Sequence, residues 1–146
     1  MNKWLKILLI GLGLGLVSAF IIYKIMYRPV KSIESYAVNL SIDAGAMIDE
    51  FIKDPQNGNE KYLEKVIEVS GVVHKIEKSD SSITILFDDG KDYIISLSVN
   101  ENNTKKAEAL KVGDLTALVG QYNGYIEGDK SFMLPGTIQI SRCYFK

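Results

Sequence analysis

Cysteine and histidine are almost absent from this chain, and their scarcity removes whole classes of function. Cys143 stands alone, so no internal disulfide forms and the redox compartment is not legible from it. The hydrophobic N-terminus holds no cysteine, which removes a lipoprotein anchor. His74 is the single histidine, and with one thiol it leaves a zinc site of nitrogen and sulfur ligands short of donors. No phosphate loop, nucleophile elbow or metal-spaced motif is present. No internal repeat or low-complexity segment is present either. The sequence therefore offers no catalytic residue, metal ligand or cofactor site.

Acidic residues are missing from the whole N-terminal region. None precedes Glu34, whereas Lys3, Lys6, Lys24, Arg28 and Lys31 all lie there. Between them, Ile7 to Tyr23 run 17 residues without a charge. With Lys24 snorkelling and the run continuing to Tyr27, a span of about residues 6–27 reaches the roughly 20 residues needed to cross hydrocarbon. Trp4, Tyr23 and Tyr27 take the places of interfacial aromatics. A cleaved signal peptide is the rival reading, since Val17-Ser18-Ala19 offers a small-residue cleavage pattern. The apolar run goes on through Phe20-Ile21-Ile22, however, where a cleaved precursor turns polar, and an uncleaved anchor is expected. Gly11 and Gly15 form a small-xxx-small face on which two such helices can pair into a homodimer. The flanking charges nearly tie, but the very short N-terminal tail favours a single-pass cell-membrane protein with its C-terminal body exported. Pro29 is expected to end the span, and Val30 to Ser35 to be too short for a free tether.

The rest carries 12 basic against 18 acidic residues, a net of −6. Tyr36, Val38, Leu40 and Ile42 alternate as an extended lead-in. Ser41 or Asp43 then caps an amphipathic helix through Lys53, with Ala44, Met47, Ile48, Phe51 and Ile52 on one face. Asp54-Pro55-Gln56-Asn57-Gly58 stops it. The stretch from Lys61 to Ile76 has period-two apolar spacing, on the parity of Ile67 and Val69 first and of Val72, His74 and Ile76 afterwards. That slip predicts a bulge at Gly71, and puts His74 on an apolar, barrel-lining parity. Ile83, Ile85 and Phe87 form the inward set of a second strand, and Tyr93, Ile95, Leu97 and Val99 that of a third, across an Asp88-Asp89-Gly90 turn. A short helix follows at Thr104–Leu110. The fourth strand spans Leu115 to Tyr122, with Leu115, Ala117 and Val119 alternating. Gly124 to Ser131 is a polar loop, and Thr137 to Phe145 the last strand.

Three strands, a helix and two strands, with a bulged first strand, is the order of an OB-fold. The expected class is all-β with helical additions: a five-stranded barrel preceded by a helix and by a transmembrane helix. The divisions are 1–31 for the anchor, 32–60 for the lead-in and a helix packed on the barrel, and 61–146 for the OB-fold.

Phe51, Asp54, Lys61-Tyr62, Lys65, Val69, Gly71 and Val73, followed by Gly113-Asp114, Gly120, Gly124 and Cys143, carry a resemblance. Over about residues 36–146 the body resembles the tRNA-anticodon-like OB-fold family of small bacterial envelope proteins. Where members carry further cysteines, Ser96 and Tyr122 stand here, so the resemblance implies no shared disulfide. Its name implies ancestry with nucleic-acid binders.

Nucleic-acid binding needs a basic groove and exposed rings on which bases stack. The body is acidic, and Phe87 and Tyr93 lie on the core parity, so nucleic acid is the weaker alternative. The carboxylates Asp88, Asp89 and Asp92 suit a solvated turn better than acid–base or calcium chemistry. The reading that remains is a non-catalytic binding or structural module of the envelope, tethered in lipid by its N-terminal helix. Its partner is expected to be a protein or a glycan. OB barrels engage ligands on the second and third strands, between the first-to-second and fourth-to-fifth loops. That points to Leu86 and Ile94 on the outward parity, and to Tyr125 and Phe132 beside the second loop.

Overall fold

The computed structural model describes residues 2–27 and 32–146. It divides into two compact units, Met1–Lys31 and Ser32–Lys146. The expectations for Pro29 and Val30 lie outside the described residues.

The first unit is one helix, α1 (Lys3–Met26). At 24 residues and ~1.5 Å each it is about 36 Å long, against ~30 Å of hydrocarbon. None of its residues is buried within the chain, and it is apolar on every side, as a helix in lipid is. Its Ser18 hydroxyl donates to the Leu14 carbonyl at 2.8 Å, which satisfies that polar group within the helix. A side chain built at Gly11 or Gly15 meets nothing within 4 Å.

The second unit is a closed barrel. Its strands are β2 (Val66–Lys78), β3 (Ile83–Phe87), β4 (Tyr93–Val99), β5 (Leu115–Ile126) and β6 (Gly136–Phe145). They pair in the order β2-β3-β4-β6-β5, and β5 returns to β2 to close the sheet. The β4–β6 pair is parallel, whereas the other barrel pairs are antiparallel. An extra strand, β1 (Leu40–Asp43), runs parallel to the first half of β2, with Asn39 fixing its start through both its backbone N–H and its side chain to Val66. This is a five-stranded OB-fold barrel with helical additions.

Helix α2 (Ala44–Lys53) begins at Asp43, whose carboxylate accepts from the amides of Gly45 and Ala46. It buries Ala44, Met47, Ile48 and Phe51 in the barrel core, while Ile52 is 41% exposed. Asp54 ends α2 and at once caps a second helix, α3 (Pro55–Tyr62), by accepting from Asn57. Proline at the first helical position has no amide to satisfy there. The Pro-Gln-Asn-Gly segment that suggests only a stop therefore starts a new helix, and Lys61-Tyr62 close it rather than opening the strand. The short helix α4 (Thr104–Glu108) follows β4.

Two strand expectations are corrected. Val73 is buried while Val72 and His74 are exposed, so the inward parity of β2 runs unbroken through Gly71. The register slip comes at His74, between Val73 and Lys75. Gly71 is small because α2 and β3 press on it: a Cβ there would lie 2.8 Å from the Ala44 Cβ and 3.0 Å from Phe87 Cδ2. In β5 the barrel-facing residues are Leu118 and Tyr122, with Leu115 exposed. Val119 is buried on the outer face by Ile33 and Val66. With both faces covered in mid-strand, alternation no longer marks the inside.

Candidate binding face

The β3–β4 hairpin turns its odd-numbered apolar residues inward, which leaves Thr84, Leu86, Ile94, Ser96 and Ser98 half-buried on the outside. Opposed residues in a sheet share a face. Lys75 opposes Leu86, Leu86 opposes Ser96, and Ser96 opposes Gln139, so these four make one row across β2, β3, β4 and β6. Ile94 opposes Thr137 and lies diagonal to Leu86. The face thus presents two aliphatic side chains among hydroxyl and amide groups. The apolar side of α2 goes into the barrel core, and Leu86 and Ile94 are not among the hydrophobic residues packed on that core.

Tyr125 and Phe132 are not brought together. Tyr125 opposes Ile138 and turns to the barrel end, where its ring lies 5.5 Å from Phe51 and 6.4 Å from Tyr93. Phe51 also approaches Tyr62 at 6.2 Å and Tyr122 at 6.1 Å, so five rings plug that end. Two of the hydroxyls are satisfied at its rim, Tyr62 donating to Glu50 at 2.7 Å and Tyr122 to Asn59 at 2.8 Å. Burial and the Glu50 carboxylate push the Tyr62 phenol up to about 12. Burial also raises Glu50, but hydrogen bonds from Lys61 and Tyr62 outweigh it and hold that carboxyl below its ordinary value. Burial raises Tyr122 as well, with Tyr125 adding to it.

Phe132, by contrast, is 75% exposed. It belongs to the loop between β5 and β6, with Met133 at 91% and Leu134 at 60%. Between this loop and the α2–α3 junction lies a groove of about 740 Å³. Ile52 and Pro55 line one wall, Met133, Leu134 and Pro135 line another, and Phe51 and Tyr93 contribute beneath. Asp88, Lys91, Asp92, Glu127 and Lys130 supply its charges. Sequence reading misses the groove because three distant segments build it. The legible signal was three consecutive apolar residues in an otherwise polar, glycine-bearing loop.

His74 is exposed rather than barrel-lining, its Nε2 3.8 Å from Asp88. The carboxylates of the β3–β4 turn hold backbone and lysine: Asp88 accepts from the Gly90 amide at 2.7 Å, and Asp89 contacts Lys91 Nζ at 3.0 Å. Lys91 reaches Asp49 as well, at 2.6 Å. Among the described residues no three or more His, Cys, Asp or Glu side chains gather where they could hold a metal ion. Cys143 is fully buried and burial pushes its thiol up, the setting of an inert cysteine.

A family model, tRNA_anti-like, matches residues 1–133. Among solved structures, a Klebsiella pneumoniae lipoprotein whose name provisionally assigns it nucleic-acid binding aligns with a TM-score of 0.53 at 17% identity. The alignment covers 82% of this chain and 99% of that one, a likeness of fold. Asparaginyl-tRNA synthetase from Pyrococcus horikoshii aligns with a TM-score of 0.40 at 15% identity, over 58% of this chain but only 20% of the enzyme. No curated protein sequence matches.

Proposed function

The chain belongs to the tRNA_anti-like family, a family of binding domains, and on that premise we propose a membrane-anchored, non-catalytic binding module of the cell envelope. Helix α1 holds it in lipid as a single pass, the barrel lies on the extracytoplasmic side, and two copies pair through the Gly11 and Gly15 face. The ligand is a protein or a glycan, engaged over Leu86 and Ile94 and the loop that carries Phe132, with Tyr125 supporting that loop's base. A lipoprotein of the same fold supports a tethered role for such a barrel.

One observation carries this reading: the outer β3–β4 face exposes no aromatic ring, on a body of net charge −6. Stacking contributes about 1–3 kcal/mol per base, and counterion release needs clustered cations. This surface supplies neither. A photo-crosslinking residue placed at Leu86 or Ile94 in intact cells is expected to yield protein or glycan adducts that the same residue at Lys106, on α4, does not. Adducts containing RNA, or identical products from all three positions, would overturn the proposal.

A further inference from the structure

We infer that the groove between the α2–α3 junction and the β5–β6 loop is a docking site for an extended peptide that pairs basic with aliphatic side chains. The inference rests on the binding-module reading above and gives its partner a chemistry. The volume, about 740 Å³, lies in the usual range for ligand clefts. Its walls are aliphatic, from Ile52, Pro55, Met133, Leu134 and Pro135. Apolar side chains this exposed, at 91% for Met133 and 60% for Leu134, mark an interaction surface when they line a cleft opposite further apolar residues, here Ile52 and Pro55.

Charge selects the occupant. Asp88, Asp92 and Glu127 line the groove against Lys91 and Lys130. Lys91 is already met by Asp49 at 2.6 Å and Asp89 at 3.0 Å, so the excess at the cleft is negative. Asp92 and Glu127 enter no ion pair among the described residues. An anionic lipid surface is repelled by that excess. A sugar is served poorly, because Phe51 and Tyr93 are buried and offer no open ring face. A peptide with cations beside aliphatic residues meets both the walls and the rim.

The loop is tied by its own hydrogen bonds and close packing. Asp129 accepts from the Ser131 amide at 2.8 Å, and its carbonyl accepts from Leu134 at 2.9 Å. Gly128 is pressed against the returning strand, where a Cβ would stand 2.6 Å from the Gly136 nitrogen. Met133 is turned outward in the left-handed region at φ 53°, a conformation that a non-glycine residue adopts only when its surroundings impose it. Preorganisation of this kind lowers the entropy lost on binding.

The test uses the full chain in nanodiscs of zwitterionic lipid and a fluorescent six-residue peptide of alternating leucine and arginine. Its glutamate-for-arginine counterpart serves as control. Saturable anisotropy is expected for the arginine peptide alone, weakened about tenfold or more by Asp92→Lys with Glu127→Lys and by Leu134→Glu. Far-UV and near-UV circular dichroism of each variant confirms that the barrel stands. Equal binding of both peptides, or indifference to all three substitutions in folded protein, overturns the inference. So does quenching by brominated lipid of Phe132→Trp in a Trp4→Phe background, which would assign the loop to the bilayer. Crosslinks from Leu86 in cells report on the binding-module reading separately. If they persist while the peptide fails, only the groove is wrong.

Discussion

Replacing Phe51 by alanine tests how the helix holds the barrel shut. The ring is fully buried and lies within 6.2 Å, centroid to centroid, of Tyr62, Tyr93, Tyr122 and Tyr125. Truncating a buried phenylalanine removes its transfer free energy and leaves a cavity, together about 3–5 kcal/mol. Each aromatic pair adds ~0.5–1.5 kcal/mol beyond area, partly counted in that figure. Domains of this size are stable by about 5–15 kcal/mol in all, so the variant should lose about a fifth or more of its stability and roughly 10–20 °C in Tm. The assay is urea unfolding of the detergent-solubilised chain in a Trp4→Phe, Tyr23→Phe, Tyr27→Phe background, which takes the indole and phenol chromophores out of α1 and its C-cap. Near-UV circular dichroism of the remaining tyrosines follows the transition. Ile52→Ala is the control: next in sequence, 41% exposed, and expected to cost less than about 1 kcal/mol. If Phe51→Ala falls within ~1 kcal/mol of wild type, or matches Ile52→Ala, the plug is not what holds the fold.

Gly71→Val forces a side chain against the Ala44 Cβ at 2.8 Å and Phe87 Cδ2 at 3.0 Å, so it should cost about 1–3 kcal/mol by overpacking. Adding Ala44→Gly should recover part of that, as measured by the urea midpoint. Glu50, held below its ordinary 4.5 in the fold, contributes stability that is present above its unfolded value and lost as the pH falls through the folded one. Glu50→Gln should therefore flatten the acid side of the stability profile below about pH 5. Tyr62, raised to about 12, contributes stability present below about pH 10 and lost as the pH rises through the folded value. Tyr62→Phe should remove that alkaline dependence in the same titration.

What the sequence reveals and what it hides follow from which contacts are local. The inward sets of β3 and β4 were legible because those strands have one wet face, and period two survives on such a strand. Asp43 and the apolar face of α2 were legible for a similar reason, since cap and stripe lie within one turn of each other. The parity of β5 was not, because Ile33, more than eighty positions away, covers Val119 from outside. Gly71 drew attention to the right residue for the wrong cause. Its smallness answers to Ala44 and Phe87, which only the closed barrel brings near, and the bulge lies three residues on. On the candidate face, Leu86 and Ile94 followed from parity alone. Tyr125 and Phe132 looked equivalent at the edges of one loop, yet closure packs the first, half-buried, among rings and exposes the second. The groove lined by Ile52, Glu127 and Leu134 joins segments that no spacing rule connects.

The most direct test of a binding module unsuited to nucleic acid is a titration of the full chain, in zwitterionic nanodiscs, with fluorescent single-stranded RNA at about 50 and about 200 mM salt. No saturable change in anisotropy at micromolar protein is predicted at the higher salt. A micromolar or tighter Kd that weakens steeply between the two salts would contradict it.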